Sequence, residues 1–287
     1  MRSRCGARRW IAKPRPELAP QSHRLDFTGA ASGDRRLCCK AAQVEVFNLF
    51  YACALAAVRL CDHAPSDIRG EDFSMYTLYS MQRSGNSYKV RLALALLNAP
   101  YRAVEIDILR GESRTPEFLK KNPSGQVPLL EVEPGRYLAE SNAILWYVAG
   151  GTPLAPDDRI DRAEALQWMF FEQHALEPNI GAAYFWLALV RGGRELHAHS
   201  LEDWMERGYR ALQVMDDHLR SRDYFAAGRL TVADIALYGY THVAHLCDFD
   251  LGAFPNIRRW LNRIESEQRY VPMLAEAVES KLAASAG

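Results

Sequence analysis

Arg83-Ser84-Gly85-Asn86-Ser87-Tyr88-Lys89-Val90-Arg91-Leu92-Ala93-Leu94-Ala95-Leu96 sets the architecture of this chain. It follows a short apolar run, Met75 to Tyr79, which reads as a strand. From Ser87 to Leu97 it reads as a helix with Val90, Ala93, Leu94 and Leu97 on one face. Asn98-Ala99-Pro100 stops that helix. A hydroxyl at the mouth of a helix, just after a strand, is a place where an anion is stabilised. Free helical N–H groups and the positive end of the macrodipole point there.

Outward from this stretch the pattern alternates strand and helix. Ala103 to Ile108 places Val104, Ile106 and Ile108 on one side, as a strand does. Residues 115–121 read as a short helix with Pro116 in its first turn. Pro128 to Val132 and Arg136 to Leu138 flank Glu133-Pro134-Gly135 and form a hairpin. Ser141 to Ala149 is a closing helix. The order β-α-β-α-β-β-α is that of a thioredoxin-like domain, over residues 75–152. A Gly/Pro-rich linker, Gly150 to Pro156, follows. Beyond it only helical runs are legible, at about 160–176, 201–220, 231–247, 255–266 and 268–282, giving an all-helical domain over 158–284. Leu230-Thr231-Val232-Ala233-Asp234-Ile235 is a capping box, with Thr231 as cap, Asp234 reaching back and Leu230 packing on Ile235. Its role is structural.

The 287 residues are 48% hydrophobic and 24% charged, an ordinary soluble globular composition. Residues 1–42 hold ten Arg/Lys against three Asp/Glu, whereas the stretch from 75 onward is mildly acidic. That body offers no electrostatic case for nucleic-acid binding. Five of the six cysteines lie before residue 62, and only Cys247 lies in the body. No Cys/His spacing suits a structural metal, and the usage fits a reducing compartment. Residues 1–74 are foreign to the rest. A targeting segment, a disordered arm, or translation upstream of a start at Met75 are the three readings. The last is favoured, with no packed domain expected there.

Three segments of the first domain resemble glutathione transferases. They are the Ser84 segment, Asn122-Pro123-Ser124-Gly125-Gln126-Val127-Pro128-Leu129-Leu130, and Leu138-Ala139-Glu140-Ser141-Asn142-Ala143-Ile144. The first is similar to the zeta-type pattern, in which a serine, two small residues and a short spacer precede Val-Arg-Ile/Leu-Ala-Leu-Ala-Leu. The resemblance covers about residues 75–272 and implies a cytosolic, homodimeric enzyme with glutathione as cosubstrate and no metal. Val127-Pro128 resembles the cis-proline turn whose backbone pairs with the cysteinyl part of glutathione. Glu140 and Ser141 resemble the pair that grips the γ-glutamyl end, a carboxylate for the ammonium and a hydroxyl with helix amides for the carboxylate. Ser141 also reads as an N-cap. Gln126 falls where the family often faces a side chain to the peptide. Arg110, Lys120 and Lys121 are candidates for the glycyl carboxylate.

The resemblance implies that Ser84 donates to the glutathione sulfur and favours the thiolate, so it is not itself the nucleophile. Ser87 reads as the helix cap. The zeta pattern has Ser-Ser-Cys where this chain has Ser84-Gly85-Asn86, which counts against maleylacetoacetate isomerase activity. Some bacterial members use an Asn near this place, so the donor is Ser84 or Asn86. Phe170, Phe171, Glu172, Gln173, Tyr184, Phe185 and Trp186 form an aromatic, partly polar cluster for an acceptor site. Glu172 among them needs a partner. His197-x-His199 and His242-x-x-His245 read as solvated or packed histidines. The leading function is conjugation of glutathione to small, mostly apolar electrophiles. The alternatives are a glutathione-dependent disulfide reductase or isomerase, and a non-catalytic adaptor on the same fold.

Overall fold

The computed structural model describes residues 75–274, and the expectations for 1–74 and beyond 274 lie outside the described residues. Strands β1 (Tyr76–Ser80), β2 (Tyr101–Glu105), β3 (Leu129–Glu133) and β4 (Arg136–Ala139) form one sheet in the order β2-β1-β3-β4. β1 pairs parallel with β2 and antiparallel with β3, and β3 pairs antiparallel with β4. The parallel pair needs a crossover, which α1 (Gly85–Leu96) supplies. Helices α2 (Pro116–Lys121) and α3 (Ser141–Ala149) complete this half. Pro116 sits in the first turn of α2 and Thr115 caps it, its hydroxyl accepting from Phe118 N.

β2 ends earlier than its alternation implies. Asp107 accepts from the amides of Leu109 and Arg110, and Ile108–Arg110 turns as a 3₁₀ helix. The side-chain alternation is still used. Val104, Ile106 and Ile108 pack with Tyr79, Met81, Phe118, Val127 and Leu129 in a small core of their own.

The second half holds helices and no strand among its described residues. α4 (Arg159–Phe171) starts at Asp158, which accepts from Ile160 and Asp161 amides. The chain then continues as helix to Leu189, well past the expected end near 176. The winding widens to π over Glu172–Gly181 and Phe185–Leu189, with Ala182–Tyr184 between them. Pro178 lies inside this stretch. It has no N–H to give, and an α-helix would break there; the wider winding carries the chain past it. Helices α5 (Leu201–His218), α6 (Val232–Thr241) and α7 (Pro255–Glu265) follow. The helix expected over 268–282 is not helical up to residue 274.

α6 is buried along its whole length. Its capping box forms: Thr231 accepts from Ala233 N, and Asp234 accepts from Thr231 N at 2.9 Å. Asp234 also accepts from Thr231 Oγ1, Phe225 N and Trp260 Nε1. One buried carboxylate thus ties α6 to α7 and to the preceding loop.

The last residues described return to the first half. Tyr88 Oη donates to Val271 O at 2.7 Å and Gln82 Nε2 to Met273 O at 2.6 Å. Tyr88 meets His242, the C-cap of α6, ring centroids 4.9 Å apart, and His242 stacks on Tyr238 at 4.7 Å. His242 Nδ1 bonds Tyr238 O at 2.8 Å, while Nε2 is buried with no partner among the described residues. Burial lowers the His242 pKa to about 4. A histidine depressed below its unfolded value of about 6.5 contributes stability above pH 6.5 and loses it as pH falls towards 4, by at most about 3 kcal/mol. Urea unfolding should therefore show a loss of stability across this window that His242→Phe flattens.

Candidate active site

A cleft of about 480 Å3 opens beside the β1–α1 loop. Ser84, Asn86, Gln126, Val127, Pro128, Glu140 and Ser141 all line it. The seven residues singled out in the sequence come from three separated segments, and the sheet topology brings them together.

Ser84, not Ser87, caps α1. The helix begins two residues earlier than its apolar face shows, and Ser84 Oγ accepts from Ser87 N at 3.2 Å. Ser87 is buried in the first turn, where its hydroxyl accepts from Met81 N. The Ser84 hydroxyl hydrogen is uncommitted among the described residues. Ser84 therefore caps and still has a donor for the cleft.

Asn86 differs. Its Oδ1 accepts from Lys89 Nζ at 2.8 Å and from Ser141 Oγ at 3.2 Å. Lys89 is fully buried and pairs with equally buried Glu172 at 2.7 Å. Glu172 Oε2 accepts from Asn142 Nδ2 at 3.0 Å. Glu172 thus finds its partner not among the aromatics around it but on α1. Lys89 escaped the sequence reading because a lone lysine in a helix is usually solvated. It lies in the α1–α6 contact, where Gly239 leaves room: a Cβ there would come within 2.6 Å of Lys89 Cγ.

Val127-Pro128 is cis. The Val127 N–H and C=O have no partner among the described residues. The turn before it is held by Asn122, which donates to Gln126 O at 2.9 Å and accepts from Ser124. Gly125 adopts φ 61°, and Arg114 lies across it, Nη1 donating to Ser124 O at 2.8 Å. Arg114 lines the cleft; Arg110, Lys120 and Lys121 do not. Arg110 pairs with Asp107, and Lys121 donates to Tyr79 Oη. The spacing of Arg114 gave no reason to choose it, because a 3₁₀ turn sets its direction.

Glu140, not Ser141, occupies the N-cap of α3, at φ 68° and without a side-chain cap bond. A non-glycine residue there is strained by about 1–3 kcal/mol. The result places Ser141 in the first turn, its hydroxyl turned to Asn86, and leaves the Glu140 carboxylate exposed.

The opposite wall is the long helix. Gln173, Glu177, Gly181, Phe185 and Leu189 line the cleft at every fourth position. An α-helix takes about 3.6 residues per turn, so such a stripe drifts round it; wider π turns drift the other way. The mixed winding keeps the stripe facing one cleft. Tyr184 and Tyr240 join it, and Tyr184 Oη donates to Arg83 O. Of the aromatic cluster read from the sequence, Tyr184 and Phe185 reach the cleft. Phe170 is exposed, Phe171 packs on Trp168, and Trp186 on His197. Burial and neighbouring Glu172 raise the Glu177 carboxyl above the usual range.

A thioredoxin-like half, a helical half and an anion-ready cleft between them define a class of thiol-handling proteins, and comparison makes the family specific. The model described as the N-terminal domain of glutathione S-transferase matches residues 74–150, and that of its C-terminal domain matches 198–263. The structure of a possible glutathione S-transferase from Rhodopseudomonas palustris is 77% identical, with a TM-score of 0.69, covering 70% of this chain and 90% of that one. A glutathione transferase from Burkholderia graminis, with two glutathione molecules bound per subunit, is 26% identical, with a TM-score of 0.58, covering 68% and 89%. The maleylacetoacetate isomerase of Rhizobium meliloti is 33% identical over 183 residues, 62% of this chain and 85% of that one. Elongation factor 1-gamma of Artemia salina is 30% identical over 209 residues, 69% of this chain; the match spans about half, 46%, of that longer relative. The chain belongs to the glutathione S-transferase family and is an enzyme of it.

Removing one partner of a buried ion pair leaves an uncompensated charge and costs about 3–5 kcal/mol. Lys89→Met should destabilise by that order in urea unfolding, and adding Glu172→Gln should recover part of the loss.

Proposed function

We propose that this enzyme binds glutathione in the cleft and activates its thiol for attack on small, mostly apolar electrophiles. The observation that carries the reading is the uncommitted Ser84 hydroxyl at the positive end of α1, with the Asn86 amide beside it in the same cleft. A free thiol with a pKa of about 8.5 is mostly protonated at neutral pH. Donors and a helix N-terminus aimed at sulfur favour its anion. The thiol proton leaves to solvent, and the sulfur forms the new bond to the electrophilic carbon as a leaving group departs with its electron pair, or as a π bond opens and its far atom takes a proton from solvent; no covalent enzyme intermediate is required.

The remaining groups suit the tripeptide. The unpartnered Val127 amide and carbonyl pair with the cysteinyl backbone, as one strand adds to another. Gln126 precedes them on the cleft wall. Glu140 takes the γ-glutamyl ammonium, while Ser141 and the uncapped amides of α3 take its carboxylate. Arg114 replaces the three cations named from sequence as the partner of the glycyl carboxylate. The electrophile lies against Gly181, Ala182, Tyr184, Phe185 and Leu189. A homodimer working in the cytoplasm without a metal completes the reading. Among the described residues no helix is long and apolar enough to cross a membrane.

A second reading is glutathione-dependent disulfide reduction, favoured by the relative that holds two glutathione molecules per subunit. In it the same thiolate attacks a disulfide sulfur, and the released thiolate takes up the proton. Turnover of a glutathione mixed disulfide with release of oxidised glutathione distinguishes it from conjugation.

Ultraviolet titration of the thiolate of glutathione bound to the full chain tests the activation. The midpoint should lie below that of free glutathione in the parent, and Ser84→Ala or Asn86→Ala should restore it. Loss of the responsible donor should lower kcat by about 10²-fold. A normal midpoint in the complex would sink the reading, and no binding would favour an adaptor. Arg114→Ala should weaken glutathione binding by about tenfold while changing kcat little.

A further inference from the structure

The contact between Lys89 and Asn86 governs how one candidate thiol donor is aimed. We propose that Lys89 is a positioning residue: by holding Asn86 Oδ1 it makes the N–H end of that amide, and not the oxygen, face the thiolate. This role rests on the thiol-activation reading.

The two ends of an asparagine amide are nearly isosteric, and only their hydrogen-bond partners set the orientation. Here Oδ1 receives Lys89 Nζ at 2.8 Å and Ser141 Oγ at 3.2 Å. An ammonium is donor-only. Turning the amide over would set its NH2 against that cation and point a carbonyl oxygen at the anion-binding end of the cleft. Lys89 thus forbids the turned-over state. Ser141 alone would not, because a hydroxyl can donate or accept.

The charge of Lys89 itself is largely cancelled by Glu172 at 2.7 Å, which in turn is held by Asn142. The pair therefore adds little net field at the thiol, and its effect runs through the geometry of Asn86. The donor side of the amide faces one titratable group from the helical wall, the carboxyl of Glu177, while the phenol of Tyr240 meets the Asn86 backbone N–H; both groups line the cleft. Asn86 has two Nδ2 hydrogens, so Glu177 and the sulfur can be served together. Gly85 and Gly239 let α1 and α6 approach closely enough for Lys89 to cross between them; a Cβ on Gly85 would come within 2.8 Å of Gly239 O.

The test compares the thiolate midpoint of bound glutathione in full-length variants. Lys89→Met/Glu172→Gln removes both charges together. It should raise the midpoint by about one pH unit, a tenfold loss of thiolate below the midpoint, with little change in the Kd for glutathione measured at a pH below the midpoint, where the bound thiol is protonated. In an Asn86→Ala background the same double change should add no shift. An unchanged midpoint in the double variant, or an equal further shift without Asn86, overturns the proposal, because Lys89 would then act otherwise than through that amide. Asn86→Asp serves if the double variant fails to fold. It keeps an oxygen for Lys89 but presents the second oxygen to the thiolate, so its midpoint should exceed that of Asn86→Ala, and equality overturns the proposal. A parent midpoint at the free-thiol value overturns thiol activation and this inference together, whereas a lowered parent midpoint with unresponsive variants overturns this inference alone.

Discussion

The ion pair between Lys89 and Glu172 joins the two halves of the molecule next to Asn86, which lines the cleft. Both side chains are fully buried and 2.7 Å apart. Taking two charges out of water is expensive, and their attraction repays it only when the remaining donors and acceptors are also met. Here Asn86 accepts from Lys89 and Asn142 donates to Glu172 Oε2, while Glu172 Oε1 has only the ion pair itself among the described residues. α1 and the amino end of α3 come from the sheet half, and Glu172 from the long helix. A shift of either half relative to the other would separate two charges that solvent does not reach, so the pair resists such a shift.

The sheet wall and the helical wall are built by different physics. On the sheet side the backbone does the work: a cis turn with free peptide groups, a cap residue at positive φ, and two helix N-termini. These features arise from local chain geometry and tolerate many side chains. On the helical side the wall is a row of side chains on one helix, kept in line by alternating α and π winding. Small Gly181 and Ala182 sit beside Tyr184 and Phe185, so this wall shapes the space and the other holds charge. The likeness to both a maleylacetoacetate isomerase and elongation factor 1-gamma is consistent with function residing in the site and not in the architecture.

Much of this was legible in the chain. The apolar periodicity of α1, the hairpin around Pro134-Gly135, and the capping box at Thr231 each rest on local rules and appear in place. The misreadings have local causes as well. Ser84 and Ser87 both have the chemistry of a cap, and the choice turns on Gly85 entering the helix against Gly239 and Tyr240 of α6. Pro178 is a stop signal in any one-dimensional reading, yet packing carries the helix on to Leu189. β2 stops early because Asp107 turns back on its own following amides. Lys89 and Arg114 gave no signal, since neither a buried lysine nor a cleft-facing arginine can be told from a surface one by spacing.

The order of elements, the two-domain class and the seven residues on the sheet side of the cleft are all contained in the linear chain. They depend on short-range periodicity, caps and turn chemistry, which act between near neighbours. Packing alone settled which charged groups are buried, how the Asn86 amide is oriented, which cation reaches the cleft, and how far the long helix runs. Each of these depends on desolvation and on partners far along the chain, as when Lys89 meets Glu172 and Asn86 meets Ser141. Burial and pairing are properties of the packed molecule, and no local stretch of residues encodes them alone.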